Sequence, residues 1–287
     1  MRRHLLGVII GALVISLSTI AILPRTACQR LQSIDSTRED RTLSIKDKVR
    51  KIWLYSIKNE AFRNEWDYEL CMVKHTLSIE ERYGELIPIE TSYLTSFPAL
   101  DYIVNYYKDK NPSMAIKYCH WIVMSRPESN DPYAIYFSKK AVDIFYEISV
   151  GGKRESSGLS LDANITGRSI AAAPYENADK DIWKLFTSTP DKRLFPFEIV
   201  ATVFYKAQKQ LTDPQVDYLL DLAAMNKMGN GIDYIYFMSL DKDRTLKEIQ
   251  KRALKLSSQQ IDDIEKSLVN QIKLNYTVEN SGFLCGD

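Results

Sequence analysis

The feature that most constrains this chain is an apolar run close to its N-terminus. From Leu5 to Leu23 the sequence contains 19 residues without a charged side chain or a proline. A helix of that length extends about 28 Å at about 1.5 Å per residue, which matches the hydrocarbon core of a bilayer. A helix can cross that core because its backbone N–H and C=O groups bond to one another and need no water. We therefore predict a transmembrane helix within residues 1–23, with residues 5–23 in contact with the membrane.

Several fates of this segment are consistent with the residues around it. An uncleaved signal anchor is favoured, because the run is longer than the core of about 7–15 residues in a cleaved signal peptide. Cleavage after Ala21 is an alternative, since Thr19 and Ala21 are both small. Lipidation of Cys28 is less favoured, because an arginine stands three positions before it where such sites usually carry leucine. A buried core helix is disfavoured by the basic start at Arg2 and Arg3.

The charges beside this segment give two conflicting indications of its orientation. Two arginines precede the run, and four follow it within 20 residues, at Arg25, Arg30, Arg38 and Arg41. A bare count of basic residues therefore does not favour export. A very short basic tail before an apolar core is nevertheless the secretory arrangement. We expect a single-pass protein of the inner membrane whose bulk is periplasmic or otherwise extracytoplasmic.

The remainder of the chain predicts an all-α fold, an irregular helical array behind the N-terminal transmembrane helix. Only 11 of the 287 residues are glycine, which disfavours turn-rich β architectures and glycine-rich phosphate loops. Leu70, Val73 and Leu77 follow the spacing of one helical face, together with Trp66. No segment alternates for long in the pattern of a half-buried strand.

Helix starts can be located from capping residues. Asn111, Asp131 and Asp213 each stand directly before a proline, so that a side chain accepts an orphan backbone N–H and the proline has none to lose. Two further starts are predicted from capping boxes, Thr245 with Glu248 and Ser257 with Gln260. The resulting helices are expected at residues 132–149, 214–227, 245–256 and 258–274.

Changes in composition predict the domain organisation. Residues 24–43 are polar and are interpreted as a linker, and residues 276–287 as an irregular tail. Residues 151–177 contain glycine, serine and proline with little periodicity, which predicts an irregular loop. We therefore expect two helical lobes, 44–150 and 178–275, although a plain surface insertion between parts of one array would give the same pattern.

The charge balance excludes one class of partner. The chain has 38 basic and 37 acidic side chains, well mixed, and therefore lacks the basic excess of a nucleic-acid binder. No Walker loop, HExxH pair, serine elbow or GxGxxG turn occurs. The sequence thus predicts no nucleic-acid partner and no cofactor.

Four cysteines, Cys28, Cys71, Cys119 and Cys285, suggest a disulfide if the chain is exported. We predict the pair Cys71–Cys119, within one lobe. Cys71 and His75 share a helical face, so Cys71, His75 and Cys119 are also weak candidates for a metal site. The alternative is that the cysteines are free and some of them are simply buried. A Cys–His nucleophile pair would need an electropositive pocket, and no residues near Cys71 or Cys119 in the sequence indicate one.

Acidic residues near position 70 raise the alternative of an enzyme. Glu65, Glu69, Glu80 and Glu81 lie among aromatic residues. Paired carboxylates beside aromatics can cleave a glycosidic bond when they lie about 5–9.5 Å apart. The more ordinary interpretation is a solvated helix face beside a buried one. These four residues are therefore only weak catalytic candidates for a cell-wall or surface-polymer hydrolase.

The 17 tyrosines are the unusual count, and they favour a binding role. A tyrosine ring is rigid and apolar and carries a polar tip, which suits protein interfaces. We single out five as candidate binding residues, Tyr102, Tyr106, Tyr107, Tyr133 and Tyr136. The predicted function is a membrane-anchored module that binds another protein, such as an immunity or inhibitor protein that neutralises an envelope-targeted toxin. A component of an envelope assembly is the alternative within the same class.

Overall fold

The computed structural model describes residues 68–84, 89, 91–126, 130–150, 155–229, 231–257 and 260–274. Throughout these residues the regular secondary structure is helical, which confirms the all-α prediction there. Helices α1 to α11 are, in order, Tyr68–Tyr83, Phe97–Lys110, Pro112–Met124, Pro132–Val150, Ser156–Ala172, Ala178–Ser188, Phe197–Lys206, Asp213–Ala224, Ile232–Met238, Lys242–Lys251 and Ile261–Leu274. Short 3₁₀ helices occupy Thr91–Tyr93 and Lys192–Leu194.

The predicted transmembrane helix at residues 5–23, the linker at 24–43 and the tail at 276–287 lie outside the described residues. Among the helices that are described, none combines the length and the apolar character needed to span a bilayer.

The chain divides into two compact units, Met1–Ile89 and Glu90–Asp287. Helix α1 belongs to the first unit, where Val73 and Leu77 are buried, as the predicted stripe requires. Helices α2 to α11 belong to the second unit. The predicted division into lobes 44–150 and 178–275 is therefore wrong, because residues on both sides of 151–177 pack into the same unit.

The predicted loop at 151–177 is also wrong over most of its length, because it contains α5. The buried face of α5 includes hydroxyl side chains as well as apolar ones. Ser160 donates to the carbonyl of Ser156 at 2.9 Å, and Thr166 donates to that of Asp162 at 2.8 Å. These residues satisfy their polar groups against their own helix and can be buried. Buried hydroxyl residues interrupted the apolar periodicity from which a helix would have been predicted.

The predicted caps are confirmed at two helices and wrong at others. Asp131 accepts from the backbone N–H groups of Tyr133 and Ala134 at 2.8 and 3.0 Å, and Asn111 accepts from that of Met114 at 3.3 Å. The cap of α8 is one residue earlier than predicted, at Thr212.

Helix α10 begins at Lys242, three residues before the predicted start, because Asp241 caps it by accepting from the N–H of Arg244 at 2.9 Å. Thr245 therefore lies inside the helix and donates to the carbonyl of Asp241 at 2.7 Å. Ser257 does not cap α11, which begins at Ile261.

Three helices end in left-handed residues that are not glycine, as expected of a glycine-poor chain. Gln208, Asn226 and Ala253 follow α7, α8 and α10 with φ of 52°, 53° and 56°. The backbone N–H of the residue after each of them donates to the carbonyl five residues earlier, as Lys209 does to Phe204 at 2.9 Å. These are Schellman endings, which satisfy carbonyls at the end of a helix.

The second unit is built around two helices in turn. Helix α3 packs against α2, α4 and α5, and α7 packs against α5, α6, α9 and α11. Large side chains fill the interior between these helices, with Tyr118, Phe137, Phe145, Phe186 and Phe195 all fully buried. Helices α2 and α4 both pack on α3, and side chains of the two helices contact each other.

Candidate functional site

A cluster of aromatic and charged side chains joins α2 to α4 at the surface. We call it the Tyr136 surface and define it by Phe97 and Asp101 of α2 with Tyr133, Tyr136 and Lys140 of α4. Phe97 and Asp101 are one helical turn apart, and Tyr133, Tyr136 and Lys140 are spaced by three and four residues. Residues at these spacings share one face of a helix, so each helix presents its part of the surface toward the other.

The rings of this surface pack around Phe97, which meets Tyr136 edge to face and Tyr133 at a tilted angle. The centroid of Phe97 lies 4.9 Å from that of Tyr136 and 5.3 Å from that of Tyr133. Tyr136 also meets the buried Phe137 at 5.1 Å with nearly perpendicular ring planes. Edge-to-face pairs at such distances add about 0.5–1.5 kcal/mol each beyond area burial. The ring of Tyr136 is therefore held from two sides.

Polar bonds fix the outer atoms of the same surface. The hydroxyl of Tyr136 donates to Oδ1 of Asp101 at 3.1 Å, and Lys140 Nζ donates to the same oxygen at 2.5 Å. Asn105 Nδ2 donates to Oδ2 of Asp101 at 2.8 Å, so both carboxylate oxygens are engaged. Further along the two helices, Lys108 pairs with Glu147 at 2.7 Å.

Tyr136 combines this restraint with exposure. Its side chain is 41% exposed, among the highest values for a large aromatic residue in the described chain. An aromatic ring that is already immobilised loses little conformational entropy when a partner covers it. The arrangement can therefore act as a rigid contact point for another protein, and it contains no group poised for covalent chemistry.

The other three predicted tyrosines belong to α2 but are not part of the Tyr136 surface. Tyr102 is 37% exposed and Tyr106 is half-buried, with its ring edge on Tyr107 at 5.1 Å. Tyr107 itself is 3% exposed and stacks on the buried Tyr118 at 5.1 Å. Tyr107 is thus a core residue, and its predicted role in binding is wrong. The five tyrosines do not form one surface.

One exposed aromatic residue was missed by the sequence reasoning. Trp121 of α3 is 37% exposed and packs edge to face on Tyr118 at 5.0 Å. Trp121 lies in a largely apolar stretch of the sequence, between His120 and Ile122, so no pattern of polar residues indicates that it is exposed. Tryptophan is the residue type most enriched at interface hot spots, and Trp121 is therefore an additional binding candidate.

The predicted Cys71–Cys119 disulfide is not formed, because Cys119 is a free and fully buried cysteine. Burial raises the pKa of the Cys119 thiol far above its ordinary value, so the thiolate needed for nucleophilic chemistry is disfavoured. Within the described residues, no group of three or more histidine, cysteine and acidic side chains is placed to hold a metal ion. The weak metal candidates Cys71, His75 and Cys119 therefore do not assemble into a site.

His120, next to Cys119, has a structural contact. Its Nδ1 lies 3.1 Å from Oγ of Ser169, and that hydroxyl donates to the carbonyl of Ile165 at 3.1 Å. Because the hydroxyl hydrogen is used in this way, we assign the proton between the two side chains to the imidazole. Burial, with a smaller contribution from Arg168, lowers the pKa of His120 to about 4. His120 is thus neutral at pH 7 and ties α3 to α5.

The described carboxylates of α1 do not form a glycosidase pair. Glu65 lies outside the described residues. Glu69 and Glu80 are half-buried and Glu81 is exposed, all on α1. Eleven residues separate Glu69 from Glu80, or about 16 Å along the helix, whereas a catalytic pair lies within about 9.5 Å. Glu80 and Glu81 are adjacent and point about 100° apart around the axis.

No protein-family model, curated protein or solved structure matches this chain.

Proposed function

We propose that this chain is a membrane-anchored, extracytoplasmic module that binds another protein, such as an immunity or inhibitor protein that neutralises an envelope-targeted toxin. The anchor is the apolar segment at residues 5–23, and the binding residues are those of the Tyr136 surface. A component of an envelope assembly would use the same surface, and the identity of the partner distinguishes the two.

The observation that carries this proposal is the state of Tyr136, which is 41% exposed and yet fixed by Phe97 and Asp101. Exposed aromatic residues that are rigid before binding are the usual anchors of protein interfaces. The neighbouring Asp101–Lys140 pair places charged groups beside the aromatic rings. Charged groups at an interface contribute more to the choice of partner than to affinity.

An enzyme acting on a surface polymer is the less supported function. Its candidate acids on α1 lack the spacing of an acid and base pair, and Cys119 is a buried thiol. The protein-binding function requires neither.

The test is capture of the partner by the full chain from its own cells, solubilised in detergent at near-physiological salt. Wild type is compared with Tyr136→Ala, with Tyr102→Ala outside the Tyr136 surface, and with Leu240→Ala as a control at a residue of 71% exposure. We expect one stoichiometric partner that is retained by Leu240→Ala and Tyr102→Ala. Tyr136→Ala should weaken its binding by about tenfold or more, as hot-spot truncations do.

Three results would count against the proposal. Recovery of no partner by wild type would remove the binding function. Equal recovery by wild type and Tyr136→Ala would remove the assigned surface. Loss of the partner with Tyr102→Ala alone would assign the interface to the exposed residues around Tyr102 in place of the Tyr136 surface.

A further inference from the structure

A second exposed surface is formed by residues of α5 and the following 3₁₀ helix, none of which belongs to the Tyr136 surface. We call it the Leu161 face and define it by Leu161, Asn164 and Arg168 of α5 with Leu194 of the following 3₁₀ helix. The three residues of α5 are spaced by three and four positions and therefore lie along one side of the helix. Leu161 is 54% exposed and Leu194 is 45% exposed.

Asn164 holds this face together through both ends of its carboxamide. Its Nδ2 donates to the backbone carbonyl of Leu194 at 2.7 Å, which fixes the 3₁₀ helix beside α5. Its Oδ1 accepts from Nε of Arg168 at 2.8 Å, which fixes the guanidinium. One polar side chain thus positions both an exposed leucine and an exposed arginine.

Arg168 carries its charge at an exposed position of α5. Arg168 forms no ion pair with any residue that the structure describes. Asp191, which caps the 3₁₀ helix, already accepts two side-chain bonds from Arg193, at 3.0 and 2.9 Å. With Nε bonded to Asn164, the guanidinium keeps terminal N–H groups that can donate in parallel to one carboxylate.

These observations point to the chemistry of the missing partner. Two exposed leucines, one on α5 and one on the 3₁₀ helix that Asn164 holds beside it, favour cover by apolar side chains, since each buried CH₂ contributes about 0.8 kcal/mol. A guanidinium that Asn164 fixes, and that has no ion pair among the described residues, favours a carboxylate. The spacing along α5 from Leu161 to Arg168 is about 10 Å, or two helical turns, which one amphipathic helix can match.

We propose that the Leu161 face binds an acidic amphipathic helix of another protein, which lays apolar side chains on Leu161 and Leu194 and sets a carboxylate on Arg168. This surface is independent of the Tyr136 surface, so the chain has two places for protein contact. The net charge of the chain is only +1, and any preference for acidic over basic partners must therefore arise locally.

The experiment uses the purified full chain, in detergent or lipid nanodiscs as its N-terminal segment requires. The probes are two fluorescent peptides of about 15–20 residues, long enough to form a helix. Both carry leucine at the same helical spacing, and they differ only in having glutamate or lysine at the polar positions. Binding is measured by anisotropy, with the empty detergent or nanodisc as the blank.

We expect the acidic peptide to bind at least about tenfold more tightly than the basic one, as a charge-assisted contact predicts. Arg168→Glu should abolish that preference, whereas Arg168→Lys should keep part of it. Leu161→Ser should weaken binding of the acidic peptide, and Leu240→Ser, at a more exposed leucine, should not. Circular dichroism of each variant checks that the helices are retained.

Equal binding of the two peptides, binding of neither, or an unchanged preference in Arg168→Glu would overturn the proposal. Competition of the peptide by a second copy of the chain would replace it with self-association. Tyr136→Ala should leave peptide binding unchanged, so failure here is distinguishable from failure of the Tyr136 surface.

Discussion

Lys140 of α4 donates to Asp101 of α2 over 2.5 Å, and the same carboxylate oxygen accepts the hydroxyl of Tyr136. The side chains of Lys140 and Asp101 are only 15% and 25% exposed. The pair therefore connects α2 and α4 directly and orients the exposed ring of Tyr136.

Replacement of Asp101 by asparagine should destabilise the fold. The variant leaves the ammonium of Lys140 largely buried without its negative partner, which costs about 1–3 kcal/mol. Urea unfolding followed by tryptophan fluorescence measures the free energy of unfolding. Asp109→Asn, at an exposed position of the same helix, is the matched control and should change it by less than about 0.5 kcal/mol. Equal effects of the two substitutions would contradict the structural role of the pair.

A side chain at Gly167 should destabilise the protein. A Cβ at this residue would lie 2.5 Å from Cζ of Phe195 and 3.2 Å from Cγ2 of Ile199. Phe195 is fully buried and has little room to move, so Gly167→Ala should cost about 1–3 kcal/mol.

The matched control for Gly167 is on the same helix. A Cβ at Gly158 meets no atom within 4 Å. Because alanine favours the helical conformation over glycine, Gly158→Ala should stabilise the protein by up to about 1 kcal/mol. Thermal unfolding of both variants gives the comparison, and a stabilised Gly167→Ala would mean that Phe195 does not pack on α5 as described.

The starts of α3 and α4 were predictable because their signals are local. A capping side chain at Asn111 or Asp131 and a proline directly after it act within a single turn. Helix α5 was not predictable in the same way, because its buried face includes Ser160, Thr166 and Ser169. Their hydroxyls bond within the helix, and no pattern of apolar residues reveals that.

The tyrosine surface was predictable only in part, for a different reason. The sequence shows that tyrosines cluster in neighbouring helices. Which of these tyrosines are buried depends on how the helices pack against one another, and the local sequence does not show that. Tyr107 is buried because Tyr118 of α3 stacks on it, whereas Tyr136 remains exposed at the seam between α2 and α4. Arg168 and Leu194 gave no signal at all, since only the bridge through Asn164 brings them together.

Acidification should weaken the contact between α3 and α5 through His120. Its pKa is about 4 in the folded protein and about 6.5 in an unfolded chain. Between these values the unfolded chain binds a proton that the folded protein does not, so stability falls as pH falls from about 6.5 to about 4. The slope from this residue should reach about 1 kcal/mol per pH unit.

Carboxylates also titrate near the lower end of this range, so the comparison with a variant is decisive. His120→Gln keeps a side chain that can donate to Ser169 but cannot be protonated there. Urea unfolding at several pH values should show a smaller slope for the variant than for wild type. Parallel pH profiles would show that His120 does not contribute.

The N-terminal segment gives a prediction about membrane association. Residues 5–23 are apolar over a length of about 28 Å, so the full chain should stay in the membrane fraction after alkaline carbonate washing. A variant that begins at residue 24 should move to the soluble fraction. Replacement of Val14 by arginine in the middle of the segment, which costs about 2.5–3.5 kcal/mol in a membrane helix, should impair insertion. Release of the wild type by carbonate would contradict the anchor.

The cysteines connect the fold to the compartment. Cys119 is buried and its thiol pKa is raised, so it should resist alkylation in the native protein and react after unfolding in urea.

Because Cys119 is free, a disulfide of Cys71 within the chain would have to involve Cys28 or Cys285. If the bulk of the chain is extracytoplasmic, peptide mapping without reductant should therefore show Cys71 linked to one of these two. A Cys71–Cys119 link would contradict the packing of α3. Fully reduced cysteines in protein taken directly from its cells would instead favour a reducing compartment and argue against export.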